Sequence, residues 1–170
     1  LRMEEDGESV VDPHFWFSIA LYKKATEKAA DSLSKLVPEH EKEIRANSAA
    51  YLAKLDALDA EVKEKIASIP AGKRNLVTPH DAFNYFSKSY GMTVVAPQGV
   101  STNSEVANAD IEKTADFIVE HKVKAVFAES TTNPERMKKL QEIVRSKGFD
   151  VEIVGGEGNE LFSDSLAPAG

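Results

Sequence analysis

Two histidines and one aspartate in this 170-residue chain could together bind a metal ion. His14 lies in the segment DPHFWFS, His80 lies in LVTPHDAFNYFSKSYG, and Asp164 lies in ELFSDS. Imidazole nitrogens and a carboxylate, without a thiolate, suit zinc, manganese or iron. The three residues are far apart in sequence, and no HxxxH or HExxH motif joins them. A site therefore depends on a fold that brings them together.

The surroundings of His14 leave two interpretations open. Pro13 restricts the backbone before it, and the aromatic residues 15–17 that follow could shield a metal site from water. The alternative is a histidine whose hydrogen bonds are satisfied beside an aromatic core cluster. Asp12 could cap a helix that starts at Pro13, or Ser18 could cap one that starts later.

His80 is predicted to lie at the start of a helix. Thr78 is a suitable N-cap, Pro79 suits the first turn, and Asp81 can accept hydrogen bonds from the free amides. The partial positive charge of a helix N-terminus would keep the imidazole neutral, which is the form that donates a lone pair to a metal. A histidine with a purely structural role is the alternative.

The other two histidines are predicted to be exposed to solvent. His40 and His121 lie among lysines and glutamates in segments with helical patterns. We therefore expect neither of them to take part in a site.

The composition restricts the classes of partner. The chain has 28 acidic and 21 basic residues, which argues against nucleic acid or an anionic membrane surface as the main partner and favours a cationic ligand. No segment reaches the ~20 apolar residues of a membrane span, and the acidic N-terminal segment differs from a secretory signal. The absence of cysteine excludes disulfides and thiol catalysis but leaves the cellular compartment open.

The first part of the chain is predicted to be helical. Apolar residues recur at helical spacing over residues 21–36 and stop at Pro38. A second helix, about 45 Å long at 1.5 Å per residue, is predicted over residues 39–69 and carries one apolar stripe. A coiled coil is the alternative, but strict heptads are not sustained, so we predict a packed and rigid helix.

Strands and helices alternate after Pro70. This alternation implies parallel strands joined by right-handed crossovers, and therefore an α/β unit with helices on both faces of the sheet. The pattern predicts strands at residues 76–77, 92–97, 124–130 and 150–156, and helices at residues 81–91, 108–123 and 134–147, two of them closed by Gly91 and Gly148.

Polar residues follow three of the predicted strands. His80 comes after the first strand, Glu129 ends the third, and Asp164 follows the fourth by a loop. Open parallel sheets bind ligands beyond the carboxyl ends of their strands. This edge of the sheet is therefore where we expect a site.

Five segments of the chain resemble a known family when they are taken in order. They are DPHFWFS, LVTPHDAFNYFSKSYG, GVSTNSE, KAVFAES and ELFSDSLAPAG, with a long charged helix between the first two. The ordered set is similar to the solute-binding lipoproteins of bacterial zinc and manganese ABC transporters, the TroA-like cluster A-I group. The resemblance covers nearly all of residues 11–170. It implies two α/β lobes joined by one rigid helix, with the metal buried between the lobes.

The resemblance also implies how this chain is divided. Residues 1–38 would be a remnant of the N-terminal lobe with its first helix, and residues 39–70 would be the linking helix. Residues 71–170 would form a C-terminal α/β lobe with a four-stranded parallel sheet flanked by helices. The chain would then be truncated at its N-terminus and also at its C-terminus.

Three metal ligands follow from the same resemblance. His14 matches the histidine of the family's DPH motif, His80 matches its HDAFxYF position, and Asp164 matches the aspartate of its F[ST]D motif. A fourth ligand, a histidine of the N-terminal lobe, would lie upstream of Leu1. Glu129 stands where the family has a carboxylate near the cleft, and we expect it to support a ligand rather than to bind the metal.

The identity of the metal stays open at this point. Zinc-selective relatives often carry a histidine-rich acidic loop before the DPH-type motif, and RMEEDGESVV is acidic but has no histidine. Manganese-type relatives often have a carboxylate at the position of His80. Zinc, manganese and iron all remain possible cargo.

The resemblance implies a binding protein and not an enzyme. The protein would capture the metal outside the cytoplasm, at the cell surface or in the periplasm, and deliver it as a monomer to an ABC permease. It would attach to the membrane only through a lipid anchor in the missing N-terminus, and it would bind no nucleic acid. Because residues 39–69 contain no proline or glycine, we expect release through rearrangement of the glycine-rich loop before Asp164.

Two other functions are alternatives. The first is a zinc-dependent hydrolase in which His14, His80 and Asp164 hold the metal and Glu129 acts as general base. The second is an adhesin or structural module whose histidines bind nothing.

Overall fold

The computed structural model describes residues 1–5, 7–103, 106–156 and 158–165 of the chain. The chain divides into two compact units, one made of Leu1–His14 and Ala71–Gly170 and the other of Phe15–Pro70. The predicted division of the chain at residues 38 and 70 stays a prediction. The end of GVSTNSE, Glu157 of the glycine-rich loop and the end of ELFSDSLAPAG lie outside the described residues.

The described residues form helices and short strands in mixed order. Short 3-10 helices at Phe15–Phe17, Pro38–His40 and Ala71–Lys73 accompany them. The regular elements are β1 (Arg2–Glu5), β2 (Glu8–Val11), α1 (Ile19–Leu36), α2 (Glu41–Ser68), β3 (Asn75–Val77), α3 (Asn84–Tyr90), β4 (Thr93–Val95), α4 (Asn108–His121), β5 (Ala125–Phe127), α5 (Pro134–Ser146) and β6 (Glu152–Val154).

The smaller unit is a pair of packed helices, α1 and α2. The first helix ends just before Pro38, as predicted, because the residue before a proline is disfavoured in helical conformation. α2 continues for 28 residues without proline or glycine. Ion pairs of Lys23 with Asp56 and of Arg45 with Asp31 join the two helices. The long helix predicted from the sequence is therefore present.

The apolar stripe of α2 is buried only in part. Leu55 is 6% exposed, whereas Tyr51 and Leu58 are 42% and 46% exposed. The packed stripe expected from the sequence is therefore only partly covered in this chain. None of the helices in the described ranges has an apolar stretch long enough to cross a membrane.

The larger unit contains the predicted parallel strands. β3 pairs with β4 and β5 pairs with β6, both in parallel, and β3 lies beside β5. The four strands predicted after Pro70 are therefore all present, as two parallel pairs, and α3, α4 and α5 follow or connect them. The prediction of an α/β unit with parallel strands is confirmed.

One hydrophobic core holds these strands and helices together. Residues of β3, α4, β5 and α5 bury their apolar side chains in it, because α4 and α5 each place an apolar face toward the strands. Asn133 caps α5 by accepting a hydrogen bond from the Glu135 N–H group at 3.0 Å. The fully buried members include Val77, Ala115, Ile118, Val126, Leu140 and Val144.

An antiparallel hairpin at the N-terminus was not predicted. β1 pairs with β2 from Arg2 opposite Val11 to Glu5 opposite Glu8. The hairpin belongs to the larger unit and leads directly into the DPH segment. The hairpin therefore fixes the position of the backbone just before Asp12 and His14.

The loop between β6 and Asp164 makes a close turn at Gly155. This residue has φ +93°, and a Cβ atom there would lie 2.9 Å from the backbone oxygen of Asn159. Both the backbone conformation and the close approach therefore require glycine. Gly156 has φ +127°, but a Cβ atom there would meet no atom of the described residues within 4 Å.

Truncation of Leu140 should destabilise the larger unit. Leu140→Ala removes a fully buried side chain and leaves a cavity, so we expect the free energy of unfolding of the full-length protein to fall by about 2–5 kcal/mol. Denaturant titration measures this change. Glu142→Ala, at an exposed position of the same helix, is the control. Equal losses in the two variants would contradict the assigned core.

Substitution of Gly155 should disturb the loop that carries Asp164. In Gly155→Ala the new Cβ atom adds a backbone clash to the conformational strain, so we expect a loss of about 1–3 kcal/mol in the free energy of unfolding. Gly156→Ala introduces a positive-φ alanine without the clash, and it should cost less. A Gly156→Ala loss as large as that of Gly155→Ala would show that the close approach to Asn159 is unimportant.

Candidate functional site

His14, His80 and Asp164 converge on one point in the larger unit. One ligand atom from each residue lies within 4.8 Å of the ligand atoms of the other two. The two histidines are buried, with 2% and 0% exposure, and the Asp164 side chain is 29% exposed. The fold thus brings together the three residues that the sequence singled out.

His14 is oriented by Asp12, two residues before it. The Asp12 Oδ1 atom accepts a hydrogen bond from the His14 backbone N–H at 2.9 Å and one from the ring Nδ1–H at 2.7 Å. Asn84 donates to the other carboxylate oxygen at 3.3 Å. Asp12 therefore fixes the imidazole and does not cap a helix that starts at Pro13, which was the role predicted for it. The opposite ring nitrogen, Nε2, faces Asp164 Oδ1 at 3.0 Å.

The prediction that His80 lies at a helix N-terminus is wrong. α3 begins at Asn84, and His80 instead forms an isolated parallel bridge with Gln98, beyond the ends of β3 and β4. Thr78 does not cap the helix, because its hydroxyl donates to the His80 carbonyl at 3.0 Å. The backbone at His80 is thus held by a bridge that extends the pairing of β3 and β4. Because the two bridged residues are 18 positions apart, local helix propensity does not predict this contact.

Glu129 holds the His80 ring from the segment that follows β5. The His80 Nδ1–H group donates to Glu129 Oε2, and neither side chain is exposed. A carboxylate can only accept hydrogen bonds, so the proton is on Nδ1 and Nε2 is the atom that faces the site. Nε2 lies 3.4 Å from Asp164 Oδ2. Ser163 donates a further hydrogen bond to Glu129 Oε2 at 2.9 Å.

The influence predicted to act on the His80 pKa, a helix N-terminus, also needs correction. Burial lowers the pKa of the His80 imidazole, but the hydrogen bond and charge of Glu129, together with Asp164, raise the pKa above its ordinary value. The partial charge of a helix end does not act on this ring, because the helix starts four residues later. Burial likewise raises the pKa of the Asp81 carboxyl group.

Asp164 is positioned by a loop that is attached to the end of β5. The Leu161 N–H group donates to the Ala128 carbonyl at 2.8 Å, and the Ser130 N–H group donates to the Leu161 carbonyl at 3.0 Å. Glu129 and Leu161 consequently form a parallel bridge. The segment after β5 that supplies Glu129 and the loop that supplies Asp164 are therefore joined by backbone hydrogen bonds.

Two buried polar atoms of this cluster have no hydrogen-bond partner among the described residues. They are His80 Nε2 and Glu129 Oε1. Nε2 of His80, Nε2 of His14 and the carboxylate of Asp164 are electron-pair donors that point at a common volume. Such a convergence requires positive charge between the donors, either protons or a metal cation.

The remaining histidines are exposed, as predicted. His40 and His121 lie at exposed helical positions of the chain. Three supporting residues were not identified as such from the sequence: Asp12, Asn84 and Ser163. Asp12 and Ser163 are each close to a predicted ligand, whereas Asn84 lies 72 residues from the Asp12 carboxylate that it contacts.

The chain matches one protein-family model and is similar to curated proteins that are named for metal binding. The family model "ZnuA: Zinc-uptake complex component A periplasmic" matches residues 2–170. The zinc-binding protein TroA of Treponema pallidum is 42% identical over 163 residues, which are 96% of this chain and 52% of that protein. The manganese-binding lipoprotein MntA of Bacillus subtilis is 38% identical over 159 residues, which are 94% of this chain and 51% of that protein.

A solved structure has the same fold. A TroA structure from a study of metal-binding specificity is 59% identical and superposes with a TM-score of 0.96, covering 100% of this chain and 61% of that chain. The chain thus spans about half the length of the curated relatives it matches. Because the family model matches residues 2–170, the chain belongs to the ZnuA family of periplasmic zinc-uptake complex components.

Proposed function

We propose that the full-length protein captures zinc or manganese outside the cytoplasm and delivers it to an ABC permease. The ligands in this chain are His14 and His80, through Nε2, and Asp164. The main support for the proposal is that these three side chains converge, with ligand atoms within 4.8 Å of one another. Metal is the cargo in this proposal, and no bond is made or broken.

The distances around Asp164 suit a metal of this size. Two atoms bound to one zinc ion at 2.0–2.1 Å and at a tetrahedral angle lie about 3.4 Å apart. The Asp164 carboxylate oxygens lie 3.0 Å from His14 Nε2 and 3.4 Å from His80 Nε2. Asp164 therefore lies at the separation from each imidazole that two ligands of one zinc ion have.

The surrounding carboxylates prepare both imidazoles for metal binding. Asp12 and Glu129 each accept the Nδ1 proton of one histidine, which leaves the Nε2 lone pair directed at the site. Carboxylates in this position fix the tautomer and orientation of metal-binding histidines. We therefore assign Glu129 to the support of His80 and not to the metal.

The donor set fits zinc, manganese or iron, and the named relatives favour the first two. Two imidazoles and one carboxylate leave a coordination position open on a tetrahedral ion. A histidine outside this chain would fill it, as the family resemblance implies. Capture at the cell surface or in the periplasm, a lipid anchor, a monomeric state and the permease partner follow from the same resemblance.

The hydrolase alternative has less support. The two curated relatives are named as a zinc-binding protein and a manganese-binding lipoprotein, and neither is named as a hydrolase. A general base must reach a water molecule at the metal, but the Glu129 side chain is fully buried and contacts Nδ1 of His80, the ring nitrogen that faces away from the site. Glu129 is therefore better placed to accept the hydrogen bond of His80 than to act as a general base.

Removal of His80 should strongly weaken metal binding. His80→Ala in the full-length protein deletes one ligand, and we expect zinc or manganese affinity to fall at least about a hundredfold, which isothermal titration calorimetry can measure. His121→Ala removes an exposed histidine of the same unit and should leave affinity unchanged. Equal affinities in the two variants would contradict the proposed site.

A further inference from the structure

The hydroxyl of Ser163 contacts the group that orients His80. Ser163 Oγ donates to Glu129 Oε2 at 2.9 Å, and the same oxygen accepts the Nδ1 proton of His80. Ser163 is 2% exposed and Glu129 is 4% exposed. The contact is therefore a buried one, in which loss of a donor is not replaced by water.

Glu129 depends on this contact for its own orientation. Its second oxygen, Oε1, is buried and has no hydrogen-bond partner among the described residues. The rotation of a carboxylate about its last side-chain bond is only weakly restricted by local sterics. The two donors on Oε2, His80 and Ser163, therefore set the plane of the carboxylate.

Ser163 and Asp164 act on opposite nitrogens of the same ring. Asp164 Oδ2 lies 3.4 Å from His80 Nε2, whereas Ser163 reaches Nδ1 through Glu129. The two residues are consecutive in one loop. Backbone hydrogen bonds at Leu161 attach this loop to Ala128 and Ser130, on either side of Glu129.

We propose that Ser163 is a positioning residue that couples the orientation of His80 to the loop that carries Asp164. With the loop in place, Ser163 holds Glu129 and Glu129 holds the Nδ1 proton of His80. When the loop moves away, the metal loses Asp164 and the His80 ring loses its fixed orientation in the same step. This inference rests on the proposed function and adds how the site releases its metal.

The first test observes the ring itself in the metal-free, full-length protein. Imidazole ¹⁵N and ¹H NMR at one fixed pH reports the His80 Nδ1–H group and its hydrogen bond. We expect Ser163→Ala to shift this signal or broaden it, and Ser163→Thr, which keeps the hydroxyl, to restore it. Ser165→Ala is the matched control, because this exposed hydroxyl of the same loop contacts Ser130 and not Glu129.

The second test is a double-mutant cycle on zinc affinity. Loss of a side chain that supports a metal ligand typically costs 10–100-fold in affinity, so we expect Ser163→Ala to weaken zinc binding roughly tenfold. In a Glu129→Ala background the same substitution should change affinity less than about twofold, because the group through which it acts is gone. Additive effects would overturn the inference. If Glu129→Ala does not fold, the NMR comparison of Ser163→Ala with Ser163→Thr decides.

The outcomes separate this inference from the proposed function. A wild-type protein that binds neither zinc nor manganese would refute the proposed function, and with it the release step inferred here. A wild-type protein that binds metal while Ser163→Ala matches Ser165→Ala in both the NMR signal and zinc affinity would overturn the role of Ser163 and leave the ligand assignment standing.

Discussion

The buried hydrogen bond between His80 and Glu129 is the interaction on which the site depends. A carboxylate without exposure to water is costly unless its oxygens accept hydrogen bonds. Glu129 meets this requirement with the Nδ1–H group of His80 and the hydroxyl of Ser163. Asp12 does the same for His14. Each imidazole is thus held by a buried carboxylate on one nitrogen, and the other nitrogen is directed at Asp164.

The parallel strands explain why these groups meet. β3 and β5 lie side by side. Beyond the end of each strand the chain forms one further parallel bridge, which pairs His80 with Gln98 after β3 and Glu129 with Leu161 after β5. These bridges carry the site residues out of the strands at the carboxyl edge, where open α/β sheets bind ligands. The packed core below them, formed by α4, α5 and the strands, gives this edge a rigid base.

The helices, the parallel strands and the three converging residues could be predicted from the sequence, because periodicity, Pro38 and the ordered motifs each carry a local signal. The environment of His80 could not, because TPHD has the composition of a helix start, while the bridge to Gln98 depends on tertiary structure. The N-terminal hairpin did have a signal, the Asp-Gly pair at residues 6–7, which is typical of two-residue hairpin loops. The role of Ser163 has no sequence signal, since it depends on the distance to Glu129.

The central claim is that two imidazoles and one carboxylate of this chain share one metal ion. Anomalous X-ray diffraction from crystals of the full-length, zinc-loaded protein tests it most directly. We predict one strong peak at about 2.0–2.2 Å from Nε2 of His14, Nε2 of His80 and a carboxylate oxygen of Asp164. A peak at other residues, or one that contacts Glu129 in place of His80, would contradict the account.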